Sequence, residues 1–318
     1  MNSRWTSSPL LLLAAAIWGF AFVAQRAGME HIGPFTFNAV RFALGGIVLL
    51  PLIALRSRRP QANGEERLPV GIKGIRWAGI AAGLILFAGA SLQQTGIVYT
   101  TAGKAGFITG LYVIIVPLGG LLWKQRTGAQ AWLGAGLAVA GLYLLSLTGG
   151  MRMVRGDLLV LVGAFFWAGH VQLIGWLSPR TDPVRLACCQ FLVCSAASLL
   201  AAVFAETALF PGGTFQSVSG RGLLAIGRGV WAAAGPILYA GLLSTGVAYT
   251  LQVVAQRRTQ PSHAAIILSL EAVFAALGGW WMLGEVLSRR ELFGCLMMLA
   301  GMLLSQIDLK TGRAPAPV

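Results

Sequence analysis

Two side chains in this 318-residue sequence stand where charge is expensive. Arg41 lies in PFTFNAVRFALGGIVLLPL (34–52) and Glu271 in HAAIILSLEAVFAALGG (263–279), stretches otherwise composed like helices in lipid. An arginine near the centre of such a helix costs roughly 2.5–3.5 kcal/mol on insertion scales, so it needs a reason. A guanidinium offers a planar fork of donors suited to a carboxylate, and Asn38, three residues earlier, shares its helix face. Together they can hold an anionic group. Arg41 also lies only about seven residues into its span, roughly 10 Å at about 1.5 Å per residue, close enough to the outer surface to snorkel. Glu271 is about ten residues deep, where a carboxyl is protonated, paired or facing water. It therefore serves either a shared structural role or proton or substrate coupling, with His263 two turns earlier on the same face as a second proton-coupling candidate.

Other polar and aromatic residues fall in the same spans. Trp18, Trp167 and Tyr249 can supply aromatic walls. His170, one turn after Trp167, is either a hydrogen-bonded core histidine or a proton relay. Gln93 and Gln94 stand together, and Thr245, Tyr249, Gln252 and Gln256 follow the spacing of one helix face. Such stripes either bind helices together, at about 0.6 kcal/mol per hydrogen bond, or line a cavity.

The elements that must position these groups are membrane helices. Mean hydropathy is +0.74, 56% of residues are hydrophobic and 11% are charged. Apolar runs near 9–26, 34–55, 75–98, 103–123, 129–147, 157–177, 183–205, 231–255, 262–283 and 291–307 suit an all-α integral membrane protein of about ten spans. The long connectors 56–76 and 207–229 read as loops with at most an interfacial helical turn. No connector can hold a soluble domain, so catalysis in water is not expected, and no H-E-x-x-H, G-x-S-x-G or P-loop motif occurs. The four cysteines lack metal-ligand spacing and read as small core residues, and no cofactor is implied. MNSRWTSSPLLLLAAAIWG imitates a signal peptide, but the repeat described below requires its helix to be kept.

The net charge of +14 follows topology rather than nucleic acid. With the N-terminus inside, 15 basic residues face the cytoplasm and 8 face outward, which puts both termini inside.

The chain also repeats itself. PFTFNAVRF (34–42) lies over PVRLACCQF (183–191) at an offset of 149, which sets Gln190 against Arg41 and Trp167 against Trp18. At an offset of 159, Gln93 meets Gln252, Lys104 meets His263 and Tyr112 meets Glu271. Gly134 and Gly141 match Gly294 and Gly301 at 160. Residues 1–147 and 157–307 thus form two five-helix repeats, followed by a cytoplasmic tail at 308–318. An odd number of crossings inverts the second copy, a pattern common among transporters.

With WG in the first helix, the PFTFNAVRF type of second helix, and SLEAVFAALGGWWMLGE (269–285) before a Gly-rich last helix, the chain resembles the EamA-type transporters of the drug/metabolite transporter superfamily. The resemblance covers nearly the whole chain. It implies a ten-helix fold in the cytoplasmic membrane, a central cavity between the halves, and export of small metabolites such as amino acids. Ala272 departs from it, standing where the family often has proline.

The leading expectation is a secondary transporter working by alternating access, with substrate contacts drawn from Trp18, Asn38, Arg41, Gln93, Tyr112, Trp167, His170, Gln190, Tyr249 and Gln252. The alternatives are an exchanger of phosphorylated metabolites, with Arg41 and Lys104 sharing the phosphate, and a structural membrane protein. Expected partners are a small-molecule substrate and the lipid bilayer, not nucleic acid, with the protein a monomer or homodimer.

Overall fold

The computed structural model describes residues 3–57, 72–100, 102–125, 127–146, 154–204, 206, 222–283 and 288–306. These form ten helical segments and no strand. The first half comprises α1 (Ser3–Gly28), α2 (Pro34–Ser57), α3 (Ile72–Tyr99), a fourth segment split into α4 (Ala102–Gly110) and α5 (Tyr112–Leu122), and α6 (Ala129–Ser146). The second comprises α7 (Arg155–Leu177), α8 (Pro183–Phe204), a composite eighth segment, a split ninth, and a last helix. The eighth runs through α9 (Gly222–Ala232), α10 (Ala234–Leu238), a π-helical stretch (Tyr239–Tyr249) and α11 (Thr250–Ala255). The ninth is α12 (Pro261–Leu268) and α13 (Glu271–Leu283), and the last is α14 (Arg289–Gln306).

Among the described residues, eight segments are long and apolar enough to cross a membrane, and Ala129–Leu144 is a shorter apolar helix. Large side chains such as Phe165, Leu200 and Trp231 remain exposed, as expected where the solvent is hydrocarbon. The 207–229 expectation needs correction: the 11-residue helix Gly222–Ala232 begins well before the anticipated span, so more than a single turn is helical. Residues 58–71 of the basic connector and the tail 307–318 lie outside the described residues.

The repeat is visible as packing. α3 lies on α7 as α1 lies on the eighth segment; α2 lies on the eighth as α8 lies on α3; α1 lies on the ninth as α7 lies on the fourth. Equivalent helices also meet each other, α2 with α8 and α6 with α14. At the first meeting Ser195 Oγ donates to the Ala39 carbonyl at 2.8 Å and Cys188 Sγ to the Gly46 carbonyl at 3.5 Å. These are one contact seen twice, since 39 and 46 correspond to 188 and 195. At the second, a Cβ on Gly134 would come within 2.6 Å of the Gly301 carbonyl, and one on Gly141 within 2.4 Å of the Gly294 carbonyl. Only glycine allows backbones so close. In both meetings the residue numbers run in opposite directions, so equivalent helices cross the membrane antiparallel and the repeats are inverted.

The fourth and ninth segments break at equivalent places, Leu111 and Ser269–Leu270. Both breaks carry tight i→i−3 bonds, Leu111 N to Ile108 O at 3.2 Å and Leu270 N to Ile267 O at 3.2 Å. The ninth segment therefore breaks with alanine, not proline, at position 272. Ser269 Oγ turns back onto the Ile266 carbonyl at 2.9 Å, which bends the helix without an imino acid. Glu271 is left at the start of α13.

Candidate functional site

A cavity of ≈ 40 Å³ lies between the halves, lined among others by Trp18, Arg41, Tyr112, Trp167, Tyr249 and Glu271. Its wall is built largely of repeat counterparts: Trp18 with Trp167, Gln93 with Gln252, Tyr112 with Glu271, Thr109 with Leu268 and Phe22 with Val171. It therefore straddles the pseudo-two-fold axis, and its charges are what break the symmetry. The volume admits about a water or two and is far below the roughly 300–1,000 Å³ of a metabolite pocket.

Arg41 does not snorkel. Its side chain is 2% exposed, held by Nε donating to Asn38 Oδ1 at 2.9 Å. The guanidinium carbon lies 4.6 Å from the Phe42 ring centroid and 5.8 Å from that of Phe37. Stacking on aromatic faces suits guanidinium, whose charge is delocalised and weakly hydrated. Asn38 itself is fully buried and does not line the cavity; its Nδ2 donates to the Ala90 carbonyl at 3.2 Å, so it orients Arg41 from behind.

Tyr249 is the centre of the aromatic wall. Its ring lies 4.6 Å from that of Trp18 and 6.1 Å from those of Trp167 and His170. His170 combines both sequence expectations, since it lines the cavity and is also a hydrogen-bonded core residue, its Nε2 2.9 Å from Gln190 Oε1. Gln190 thus reaches the cavity through His170 and not directly. Trp18 Nε1 donates to the Ser244 carbonyl at 3.1 Å, whereas Trp167 Nε1 is buried without a partner.

Glu271 is 4% exposed, with Tyr112 beside it. The Tyr112 hydroxyl and the Glu271 carboxyl have each other as polar neighbours, whereas Gln25 Oε1, Thr109 Oγ1 and Gln252 Oε1 have no protein hydrogen-bond partner. Buried polar atoms are normally satisfied, so this wall is set to receive polar groups from whatever occupies it. Among the described residues the one ion pair is Lys104 with Asp157, at 2.6 Å. Arg41 and Glu271 thus line one cavity without pairing to each other.

Some expected members lie elsewhere. His263 is half-buried in the first turn of α12 and does not line the cavity. Lys104 is committed to Asp157 at the far end of α4, so Arg41 and Lys104 do not form a shared phosphate site. The Thr245 to Gln256 stripe divides: Tyr249 and Gln252 face the cavity, Thr245 Oγ1 donates to the Ala240 carbonyl at 2.8 Å, and Gln256 Nε2 donates to the Val171 carbonyl at 2.9 Å.

Glu206 had no part in the sequence reading. Its carboxylate accepts Phe35 N at 2.9 Å, Thr36 N at 3.3 Å and Thr36 Oγ1 at 2.6 Å, capping α2 from the other half. In the repeat, Gly33 corresponds to Asp182, whose Oδ1 caps α8 through Arg185 N at 2.8 Å. A Cβ at Gly33 would lie 2.0 Å from Glu206 Oε1. The missing cap at Gly33 was the signal available in the sequence.

The profile of the EamA-like transporter family matches residues 6–147 and again 154–306, and the chain belongs to that family. An uncharacterized transporter of Archaeoglobus fulgidus is 30% identical over 92% of this chain and 83% of its own. An uncharacterized protein of Pseudomonas aeruginosa is 31% identical over 93% of each chain. A Salmonella typhimurium protein named a probable amino-acid metabolite efflux pump is 23% identical over 96% of each. A protein of known crystal structure superposes with a TM-score of 0.71 over 95% of this chain and 97% of its own, at 17% identity, which extends the likeness to the fold.

Proposed function

We propose that this transporter exports small metabolites, such as amino acids or related compounds, by alternating access. The observation that carries the reading is a buried guanidinium and a buried carboxyl lining one cavity without pairing. Arg41, oriented by Asn38, takes the substrate's carboxylate; Trp18, Trp167 and Tyr249 form the apolar wall; Glu271 takes an opposite charge or a proton. The Salmonella relative's name supports the substrate class. On this reading residues 1–147 and 157–307 are the two repeat domains, 308–318 is a cytoplasmic tail, and the protein lies in the cytoplasmic membrane with both termini inside. The exchanger of phosphorylated metabolites loses its second cation with Lys104.

The test is efflux of a preloaded amino-acid panel from overexpressing cells, wild type against Arg41→Gln. At least one anionic or zwitterionic compound should leave faster with the wild type and lose that advantage in the variant. Transport confined to cations and indifferent to Arg41 would contradict the reading.

A further inference from the structure

The cavity wall offers acceptors as well as donors. Arg41, oriented by Asn38, supplies donors. Three neutral oxygens of the same wall, Gln25 Oε1, Thr109 Oγ1 and Gln252 Oε1, are buried without a partner among the described residues. Their residues are 4%, 3% and 1% exposed. Buried acceptors are normally satisfied, so these three call for N–H or O–H donors from an occupant.

Glu271 is the obvious partner for a cationic group, but its carboxyl already has local support. Tyr112 is its polar neighbour. Glu271 is also the first residue of α13, a helix of 13 residues whose N-terminal amides carry partial positive charge. Thr109 stands at the opposite pole. It lies in the last turn of the nine-residue α4, just before the break at Leu111, where the carbonyl end carries partial negative charge. Broken helices in a membrane core present their amide ends to anionic groups and their carbonyl ends to cationic ones.

Two of the three oxygens have no counterpart in the second half. By the repeat, Gln25 corresponds to Ile174 and Thr109 to Leu268, so hydrocarbon stands where the first half has oxygen. Gln252 is matched by Gln93. α12 ends at an equivalent break, but its last residue is Leu268.

We propose that Gln25, Thr109 and Gln252 bind the ammonium of a substrate whose carboxylate Arg41 holds, so that the site selects primary amines and leaves Glu271 to carry the proton. A primary ammonium brings three N–H donors to three oxygens that lack one. A trimethylated ammonium brings none, and a des-amino acid leaves all three oxygens bare. The proposal rests on the reading of Arg41 as the carboxylate site, and its test keeps the two apart.

Purified full-length protein is titrated with the standard amino acids one at a time, then with the des-amino and N,N,N-trimethyl counterparts of those that stabilise it, and thermal stabilisation reports apparent affinity. Both counterparts should bind about 10- to 150-fold more weakly than the parent, the size expected when charged hydrogen bonds are lost. Thr109→Val, which keeps the shape, should cut that ratio about tenfold by weakening the amino acid and not its des-amino counterpart. Gln25→Leu should act alike, and it carries the test if Thr109→Val fails to fold. Equal weakening of both compounds in these variants would make the residues structural and overturn the proposal. A ratio that survives in both variants and collapses in Glu271→Gln would give the ammonium to Glu271, which also overturns it. An amino acid and its des-amino counterpart binding equally, with binding still lost in Arg41→Gln, would remove the ammonium site and leave the carboxylate site standing. Binding indifferent to Arg41, or none by any amino acid, would overturn the underlying reading as well.

Discussion

The third and eighth segments occupy equivalent places, and they differ more than any other pair. α3 is one uninterrupted helix, whereas the eighth segment changes from α to π geometry between Tyr239 and Tyr249 and back. Trp167 packs against α3 at Gly89, and its indole N–H finds no partner there. Trp18 packs against the π stretch and donates to the Ser244 carbonyl there. Tyr249, the hub of the aromatic wall, closes the π stretch, while its counterpart is the small Ala90. π-helical stretches are rare and gather at functional sites. The lesson is that duplication supplies a symmetric shell, and local departures in one copy supply the chemistry.

The sharpest way to break this comparison is at the charged members. Arg41→Gln gives the first half the residue type of the second at that position. It should weaken binding of a carboxylate substrate by roughly 10- to 150-fold, the equivalent of about 1.5–3 kcal/mol, measured as transport affinity. Arg41→Lys separates charge from geometry, since a lysine cannot form the fork. Gln190→Ala, which removes only a neutral bond to His170, should cost about fivefold. Equal effects at the two positions would mean that the cavity does not distinguish its halves.

Glu271→Gln addresses the second asymmetry, carboxyl against Tyr112. It should lower flux by about tenfold and remove its pH dependence while leaving the protein folded. Unchanged pH dependence in an active variant would confine Glu271 to a structural part.

The caps of α2 and α8 compare a borrowed carboxylate with a local one. Glu206→Ala should lower unfolding free energy by about 1–3 kcal/mol, because it strips a buried carboxylate from three donors; Asp182→Ala should cost about 0.5–2 kcal/mol. Gly33→Asp alone should also destabilise, since Glu206 occupies the space, and should recover part of the loss when combined with Glu206→Ala. Burial holds the Glu206 carboxyl above the ordinary carboxylate range, although Thr36 and the backbone amides of Phe35 and Thr36 pull the other way. A raised native value means that Glu206 favours the folded state most below the ordinary range and loses that contribution as pH rises through the raised value. Thermal midpoints across pH should therefore show an acid-side component that Glu206→Gln flattens. The smallest effect expected is at the tryptophans: Trp18→Phe should cost about 1 kcal/mol, whereas Trp167→Phe should be neutral within about 0.5 kcal/mol.

The sequence alone determined the class, the number of segments and the inversion of the repeats. Each follows from a property the chain carries locally: the length of apolar runs, the register of Trp18 on Trp167 or Gly134 on Gly294, and the odd number of crossings in each half. It also marked most of the cavity wall, because an ionisable or aromatic residue in an apolar run stands out by composition. Only the tertiary structure decided which way those residues face. Arg41 sits too near a helix end for depth to choose between lipid headgroups and cavity; packing against Phe42 and Asn38 made that choice. His263 shares a helical stripe with Glu271 on paper, but the break at Ser269–Leu270 ends the helix between them. Lys104 looked like a free cation until α7 brought Asp157 to it. Glu206 was silent because its role is to cap a helix about 170 residues away. Contacts of that kind depend on how the two halves meet, and no local pattern encodes where a distant helix begins.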